Sequence, residues 1–457
     1  MPQLIIIIIY FAIMLIIGAV SRRKARHADD FFVAGRKGSS LFIVGSLLAT
    51  IIGGSATVGM AGLGFQRGLT GAWWLLAGSI GLIALGVFFA RRVRKYALFT
   101  LPELIEKQYD RRVALASSVL IVVAWIGIIA AQIIAAGKIM SILGIGSPTL
   151  WMAVFSFVFI AYTVLGGQHS VIRTDLFQSV IIFGGIFAGL GLLLSRLGGW
   201  EGLQSSLPAD MFAFPVSAQF GGGELVSLLL VVGLTYLVGP DIYTRLFCSK
   251  DDNTARSSVL WTAGLIIPIA FAVTLMGMGA AVLFPGITAE QALPMVVSDV
   301  FSPLIGGIVL AALLCAMMSS ADTTLLSAGT ILTVDIIGGF RSSERKNILP
   351  RSRWLIIILG IISLAVALLL KGIISALLFA YTVYTCGVIL PVIAGFFRHR
   401  LKVTASGALA TLIGGGALGI ISKLAEVKYL DLGALAASAC LLILVSFIDN
   451  RVKRRRA

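Results

Sequence analysis

The sequence predicts an all-α membrane protein of about 13 transmembrane helices, and three observations predict it. The first is composition: of 457 residues, 58% are hydrophobic and 12% are charged. That charged share is about half the roughly 25% of an average soluble domain. The second is patterning, because apolar runs long enough to cross a bilayer follow one another along the chain. The third is the distribution of basic residues, which falls on alternate connections. Thirteen helices of about 20 residues use about 260 residues and leave connections of about 14 residues each. That leaves no room for a soluble catalytic domain. A cytoplasmic enzyme, a secreted disulfide scaffold and a disordered chain are all excluded.

The apolar runs, numbered here as spans 1 to 13, cover 3–20, 40–64, 70–93, 113–141, 148–165, 172–198, 225–247, 256–283, 301–334, 352–370, 373–397, 401–423 and 430–449. Span 1, IIIIIYFAIMLII, lacks the basic leader and small-residue cleavage site of a signal peptide, so it reads as a retained helix. The connections after spans 1 and 3 hold Arg22 to Lys37 and Arg91 to Arg112. Following alternate connections to the tail RVKRRR collects 30 of the 36 Lys and Arg residues on one side. The positive-inside rule makes that side cytoplasmic. The reading is a multi-pass cell-membrane protein with its N-terminus outside and its C-terminus inside. The net charge of +16 then reflects topology and anionic lipid rather than a nucleic-acid partner. Residues 199–224 carry Glu201, Asp210 and Glu224 with no Lys or Arg and read as an outer loop.

The four cysteines (Cys248, Cys315, Cys386, Cys440) show no metal spacing, and the three histidines (His27, His169, His399) form no cluster. Metal-dependent chemistry and a nucleophile–base pair are both unsupported, so the chain does not read as an enzyme. The cysteines fit as small apolar filler.

Two spans are wrong for plain helices. Span 2 contains Gly53, Gly54, Gly59, Gly62 and Gly64. Span 7 contains Gly233, Gly239, Pro240 and Asp241. Proline removes a helical hydrogen bond, and unpaired backbone at membrane depth is tolerated only in protein or against a wet cavity. Spans 2 and 7 are five apart and therefore run in opposite directions. Paired interruptions of this kind point to an inverted-repeat secondary transporter. The repeats are expected at 40–198 and 225–397, with an additional helix and cytoplasmic loop over 1–39 and additional helices with a basic tail over 398–457. Close packing by small residues is the alternative reading of the glycines.

Acids at membrane depth are costly and usually have a partner. Asp175 begins span 6, Asp241 follows Pro240, and Asp322 lies deep in span 9. Around Asp322 the sequence reads AMMSSADTTLL. Ser319, Asp322 and Thr323 share one helical face, at i, i+3 and i+4. Oxygen donors grouped this way suit a hard cation; interhelical hydrogen bonding is the bland alternative. Tyr381, Tyr384 and Thr385 in span 11 are candidates to face a cavity. Trp73 and Trp74 are candidates to line it or to sit at the membrane interface.

At these residues the chain resembles the sodium/solute symporter family, which includes sodium/proline, sodium/galactose and sodium/sialic acid symporters. The matching segments are ATIIGGSATVGM, TLPELIEKQYD, TVLGGQHSVIRTDLFQ, GPDIYTRLF and AMMSSADTTLLSAGTILTVD, in one order across about residues 3–450. The resemblance implies a five-plus-five inverted-repeat core with extra helices and sodium-driven uptake of a small solute; the protein is expected to act as a monomer. It implies a sodium site made by the carbonyls of Ala49, Ile52 and Ala316 and the hydroxyls of Ser319 and Ser320. A second sodium site, found in some members, would use Asp175, Ser319, Asp322 and Thr323; Asp322 departs from the Ser or Thr usual there. Sugar-binding members carry a glutamine and a glutamate where this chain has Ala56 and Leu75, which argues against a sugar. Proline members carry an acid where this chain has Ile51, and a Tyr and a Pro that match Tyr236 and Pro240. An amino acid or organic acid is the expected solute.

Overall fold

Backbone surrounded by hydrocarbon must satisfy its polar groups internally, so apolar runs of this length become helices. The structure, a computed structural model, describes residues 2–22, 27–338, 348–369, 372–425, 427 and 429–456. Among the described residues no strand forms; extended pairing is limited to isolated bridges between Gly38 and Ser249 and between Ser217 and Phe220. Of the basic residues used to argue orientation, Arg23, Lys24, Arg26, Arg341, Arg345 and Lys346 lie outside the described residues, as does residue 370 at the end of span 10.

Eleven helical stretches are long and apolar enough to cross a membrane, against the 13 expected. The difference has two physical causes. Span 2 is cut in the middle, leaving Ser40–Ile51 short; its second half continues through a tight turn at Gly68–Ala72 into span 3, forming Ser55–Lys95. Spans 5 and 6 join into one helix of 49 residues, Pro148–Arg196. At 1.5 Å per residue that helix would be about 74 Å long, more than twice a hydrocarbon core of about 30 Å. It bends at Gly167, where φ is 55° and ψ is −150°. A Cβ at Gly167 would stand 2.6 Å from the Phe31 ring, so the bend and its packing both require glycine.

The remaining spans form Pro2–Ser21, Arg111–Met140, Gly222–Cys248, Asp252–Leu283, Pro303–Ile337, Ile348–Leu369, Ile373–Gly395, Ala405–Leu424 and Leu430–Arg455. Side-chain caps start several of them: Asp110 accepts from Val113 N–H at 3.0 Å and Asp251 from Thr254 N–H at 2.7 Å. The Thr254 N–H holds the exposed Asp251 carboxyl below its ordinary range, so that cap persists in mild acid.

Span 9 is the axis of the molecule. It is buried along nearly its whole length and packs against spans 1, 2 and 4 and against the joined spans 5 and 6. Spans 1 and 13 instead expose Ile8, Ile16, Ile443 and Leu444, which is the surface that lipid tails solvate. A polar cluster on the axis is therefore far from lipid. Arg245, grouped by sequence position with the loop bases, is instead fully buried within Pro240–Cys248.

Candidate ion and substrate site

The break in span 2 begins at Ile52, with φ −86° and ψ 75°. In an uninterrupted helix the carbonyls of Ala49 and Thr50 would accept from the N–H groups of Gly53 and Gly54. Here Gly53 N–H donates to Ile51 O at 3.0 Å, and Gly54 N–H donates to Gln132 Oε1 at 2.6 Å. Two carbonyls are thus freed, and span 9 meets both. Ser319 Oγ donates to Ala49 O at 2.7 Å and lies 3.0 Å from Ala316 O. Ser320 Oγ donates to Thr50 O at 2.6 Å. Such close approach needs the glycines: a Cβ at Gly53 would stand 2.5 Å from Ser320 Oγ, and one at Gly54 would stand 2.4 Å from Ala135 Cβ. The cluster joins Ala49, Ala316, Ser319 and Ser320, with Ile52 at the break beside them. Carbonyls and hydroxyls of this kind suit a hard monovalent cation.

A second cluster adjoins it. Asp175 and Arg245 are fully buried and form an ion pair at 3.3 Å. Ser46 Oγ donates to Asp175 Oδ2 at 2.5 Å and accepts from Arg245 Nε at 3.1 Å. Arg245 also donates to Thr323 Oγ1. Thr323 Oγ1 lies 3.2 Å from Thr50 Oγ1 and 3.2 Å from Asp322 Oδ1, and Tyr162 OH donates to Asp322 Oδ2. Asp175 pairs with the guanidinium directly, and Asp322 is linked to it only through Thr323. Asp175, Asp322 and Thr323 come together as a group with Arg245 among them, while Ser319 faces the freed carbonyls of span 2. Asp175 Oδ1 and Arg245 Nη1 have no protein hydrogen-bond partner among the described residues.

In span 7 the helix ends at Val238, with φ −132° and ψ 53°, and restarts at Pro240. Proline supplies no N–H. Tyr384 OH donates to Val238 O. Thr235 and Thr385 pair at 3.1 Å, and Thr385 Oγ1 also donates to Val231 O at 3.1 Å. Between the two breaks lies a cavity lined by residues of spans 2, 4, 7, 9 and 11, including Thr50, Ser320, Gln132, Tyr236, Asp241 and Tyr381.

The sodium:solute symporter family profile matches residues 31–415. The chain belongs to the sodium:solute symporter family. It is a multi-pass membrane transporter rather than an enzyme, and sodium is its coupling ion. A sodium/glucose cotransporter of Vibrio parahaemolyticus is 26% identical over 89% of this chain and 82% of its own length. The sodium/glucose cotransporter 1 of Ovis aries is 25% identical over 93% of this chain and 72% of its own length. Among solved structures, a Na+-coupled sialic acid symporter superposes with a TM-score of 0.83 at 18% identity, covering 99% of this chain and 98% of that one. A nucleobase-cation-symport-1 family transporter superposes with a TM-score of 0.66 at 13% identity, over 92% and 94% of the two chains. These likenesses establish the all-helical transporter fold.

Within this symporter the expected substrate residues divide. Tyr236 and Tyr381 line the cavity, and Trp74 stacks behind Tyr381 at 6.3 Å. Pro240 makes the break without lining the cavity, while Tyr384 and Thr385 brace it. Trp73 faces the connection 199–224, where it stacks on Phe214 at 5.2 Å and donates to Pro215 O at 2.8 Å. Sequence reasoning missed Gln132, Trp125 and Arg245. Gln132 carries a readable signal, being the one carboxamide in the apolar run of span 4. Arg245 gives a misleading one, because a base near the end of a span looks like a loop residue.

Proposed function

We propose that this symporter imports a small polar solute, an amino acid or organic acid, with one sodium ion bound between spans 2 and 9. The ion would take the carbonyls of Ala49, Ile52 and Ala316 and the hydroxyls of Ser319 and Ser320. The observation that carries this reading is the pair of freed carbonyls, Ala49 and Thr50, met by the two serine hydroxyls of span 9. A hydroxyl oxygen retains lone pairs whichever way its proton points. Sodium entering the cluster would turn the two hydroxyls from donors into ligands and tie the broken helix to the axis.

Solute binds in the cavity between the two breaks. The repeats 40–198 and 225–397 then rock against each other, and ion and solute leave on the cytoplasmic side. The N-terminus lies outside and the C-terminus inside in a chain of thirteen crossings, working as a monomer in the lipid bilayer without nucleic acid. A membrane potential contributes about 2.3 kcal/mol per charge per 100 mV. A tenfold sodium gradient contributes about 1.4 kcal/mol. Together they support accumulation of roughly 500-fold per sodium.

A second reading, sugar uptake, is favoured by the names of the curated relatives. Against it, the positions that match the sugar-contacting residues of the family are Ala56 and Leu75, both fully buried and apolar. Sodium-dependent uptake in proteoliposomes tests the proposal. Ser319→Ala should raise the sodium concentration for half-maximal uptake at least tenfold. An unchanged sodium dependence removes the assigned site.

A further inference from the structure

The cavity between the breaks contains a carboxylate and no base. Asp241 lines it, and no Lys or Arg is among the lining residues. Asp241 is the second residue of the restarted helix Pro240–Cys248 and is half-buried, whereas Ile242 to Ser249 are all buried. Arg245, one turn further along, directs its donors to Ser46, Asp175 and Thr323. Among the described residues no ion pair reaches Asp241; only the backbone N–H groups that open its own helix and the more distant Arg245 act on its carboxyl. A second polar group also awaits a partner. Trp125 Nε1–H is buried, its residue lines the same cavity, and it has no protein acceptor among the described residues.

These facts separate solute classes. In a weakly screened cavity, opposite charges attract and like charges repel far more strongly than in water. A plain organic anion would meet Asp241 with no base to receive it. Of the lining hydroxyls outside the two clusters, Thr235 and Thr324 already donate to backbone carbonyls at 2.7 and 2.6 Å, which leaves those of Ser55, Tyr236 and Tyr381 for a neutral polyol and none that answers the charge of Asp241. An ammonium group instead matches the carboxylate, and the rings of Trp125, Tyr236 and Tyr381 favour a cation beside them.

We infer that Asp241 anchors an ammonium group and that the solute is amine-bearing, with an oxygen atom accepting from Trp125 Nε1–H. This rests on the sodium-symport reading above and narrows it: amino acids and small amines are carried, while simple organic acids and hexoses are excluded.

The test is thermal unfolding of the purified full-length protein in NaCl and in KCl. Probes are the twenty standard amino acids, the 2-hydroxy acids of the same carbon skeletons, and galactose. Sodium-dependent stabilisation is expected from one or more amino acids and from neither comparison class. In Asp241→Asn the affinity for that amino acid should fall at least tenfold, and Asp241→Glu, which keeps the charge, should recover part of it. Circular dichroism of both variants checks that they fold. A response to a hydroxy acid or galactose alone, or no response to any amine, overturns the inference and leaves sodium symport standing. So does an Asp241→Asn protein that keeps its amine affinity. If Asp241→Asn lowers the number of sodium ions bound while leaving amine affinity unchanged, Asp241 is an ion ligand and the anchor is wrong. If an amine stabilises equally in KCl, the anchor holds and the coupling reading fails.

Discussion

In span 2 the chain leaves the helix at Ile52 and the freed carbonyls of Ala49 and Thr50 are met by serine hydroxyls. In span 7 it leaves at Val238, where the carbonyl is met by the phenol of Tyr384 and a threonine pair braces the neighbouring turn. A serine hydroxyl rotates about one bond and presents lone pairs to a cation as readily as a proton to a carbonyl. A phenol keeps its O–H near the plane of its ring, and the Tyr384 ring is fully buried and fixed. In the proposed mechanism the first break exchanges a protein donor for an ion, while the second keeps its donor. Glycine makes the first because span 9 must come close. Proline restarts the helix at the second because the first helical residue needs no N–H of its own.

Arg245 is where the two halves of this comparison meet. It is carried by the restarted helix of span 7 and donates to Ser46 in the first half of span 2. Arg245→Gln should give the largest effect. It leaves Asp175 buried without its cation, and removal of one partner of a buried pair costs about 3–5 kcal/mol. Chemical or thermal unfolding in detergent measures the loss, and adding Asp175→Asn should restore part of it. Additive losses in the double variant would mean that the pair is not coupled.

Tyr384→Phe comes next. It strips Val238 O of its donor, and a buried acceptor left unpaired costs about 1–3 kcal/mol. If the second break is a fixed brace, the sodium concentration for half-maximal uptake stays at the wild-type value while stability drops. A shift in sodium dependence of threefold or more would show instead that the second break answers to the ion, and the contrast between the breaks would fall. Ser319→Ala is the mirror experiment. Its stability loss should be about 1 kcal/mol, one hydrogen bond, while its sodium dependence moves by at least tenfold.

The parts of this contrast that were legible in the sequence are those written in composition and spacing. Apolar run length reveals the spans, glycine and proline reveal both breaks, and the SSADTT stretch reveals the polar cluster on span 9. What remained hidden depends on which side chains meet across hundreds of residues. Ser46 and Asp175 are 129 positions apart, and Arg245 lies 70 from Asp175, so no periodicity relates them. The fusion of spans 5 and 6 was hidden for another reason: residues 166–171, GGQHSV, interrupt the apolar run, yet the helix continues through them with a bend at Gly167. The placement of Tyr384 and Thr385 also followed from packing, since both look like cavity-facing groups when only their helix is known.

Asp322→Asn carries the smallest expected effect and decides how many ions the first break serves. Asp175 already has a guanidinium within 3.3 Å, so the network has one positive charge of its own. Asp322 keeps neutral donors, Tyr162 and Thr323, and an asparagine oxygen accepts from either. Asparagine offers one oxygen in place of two, so Tyr162 keeps its acceptor while Thr323 turns its hydroxyl to Thr50 Oγ1, and stability should fall by no more than about 1 kcal/mol. The ratio of sodium to solute, read from the reversal potential of uptake in proteoliposomes, should remain one. Asp175→Asn differs in kind, since it orphans Arg245 and should behave like Arg245→Gln. A ratio that falls from two to one in Asp322→Asn would place a second sodium among Asp175, Ser319, Asp322 and Thr323, with Arg245 as its neighbour rather than its substitute. A constant ratio leaves the ion to the serine pair, and then the buried arginine does permanently at the second cluster what sodium does transiently at the first.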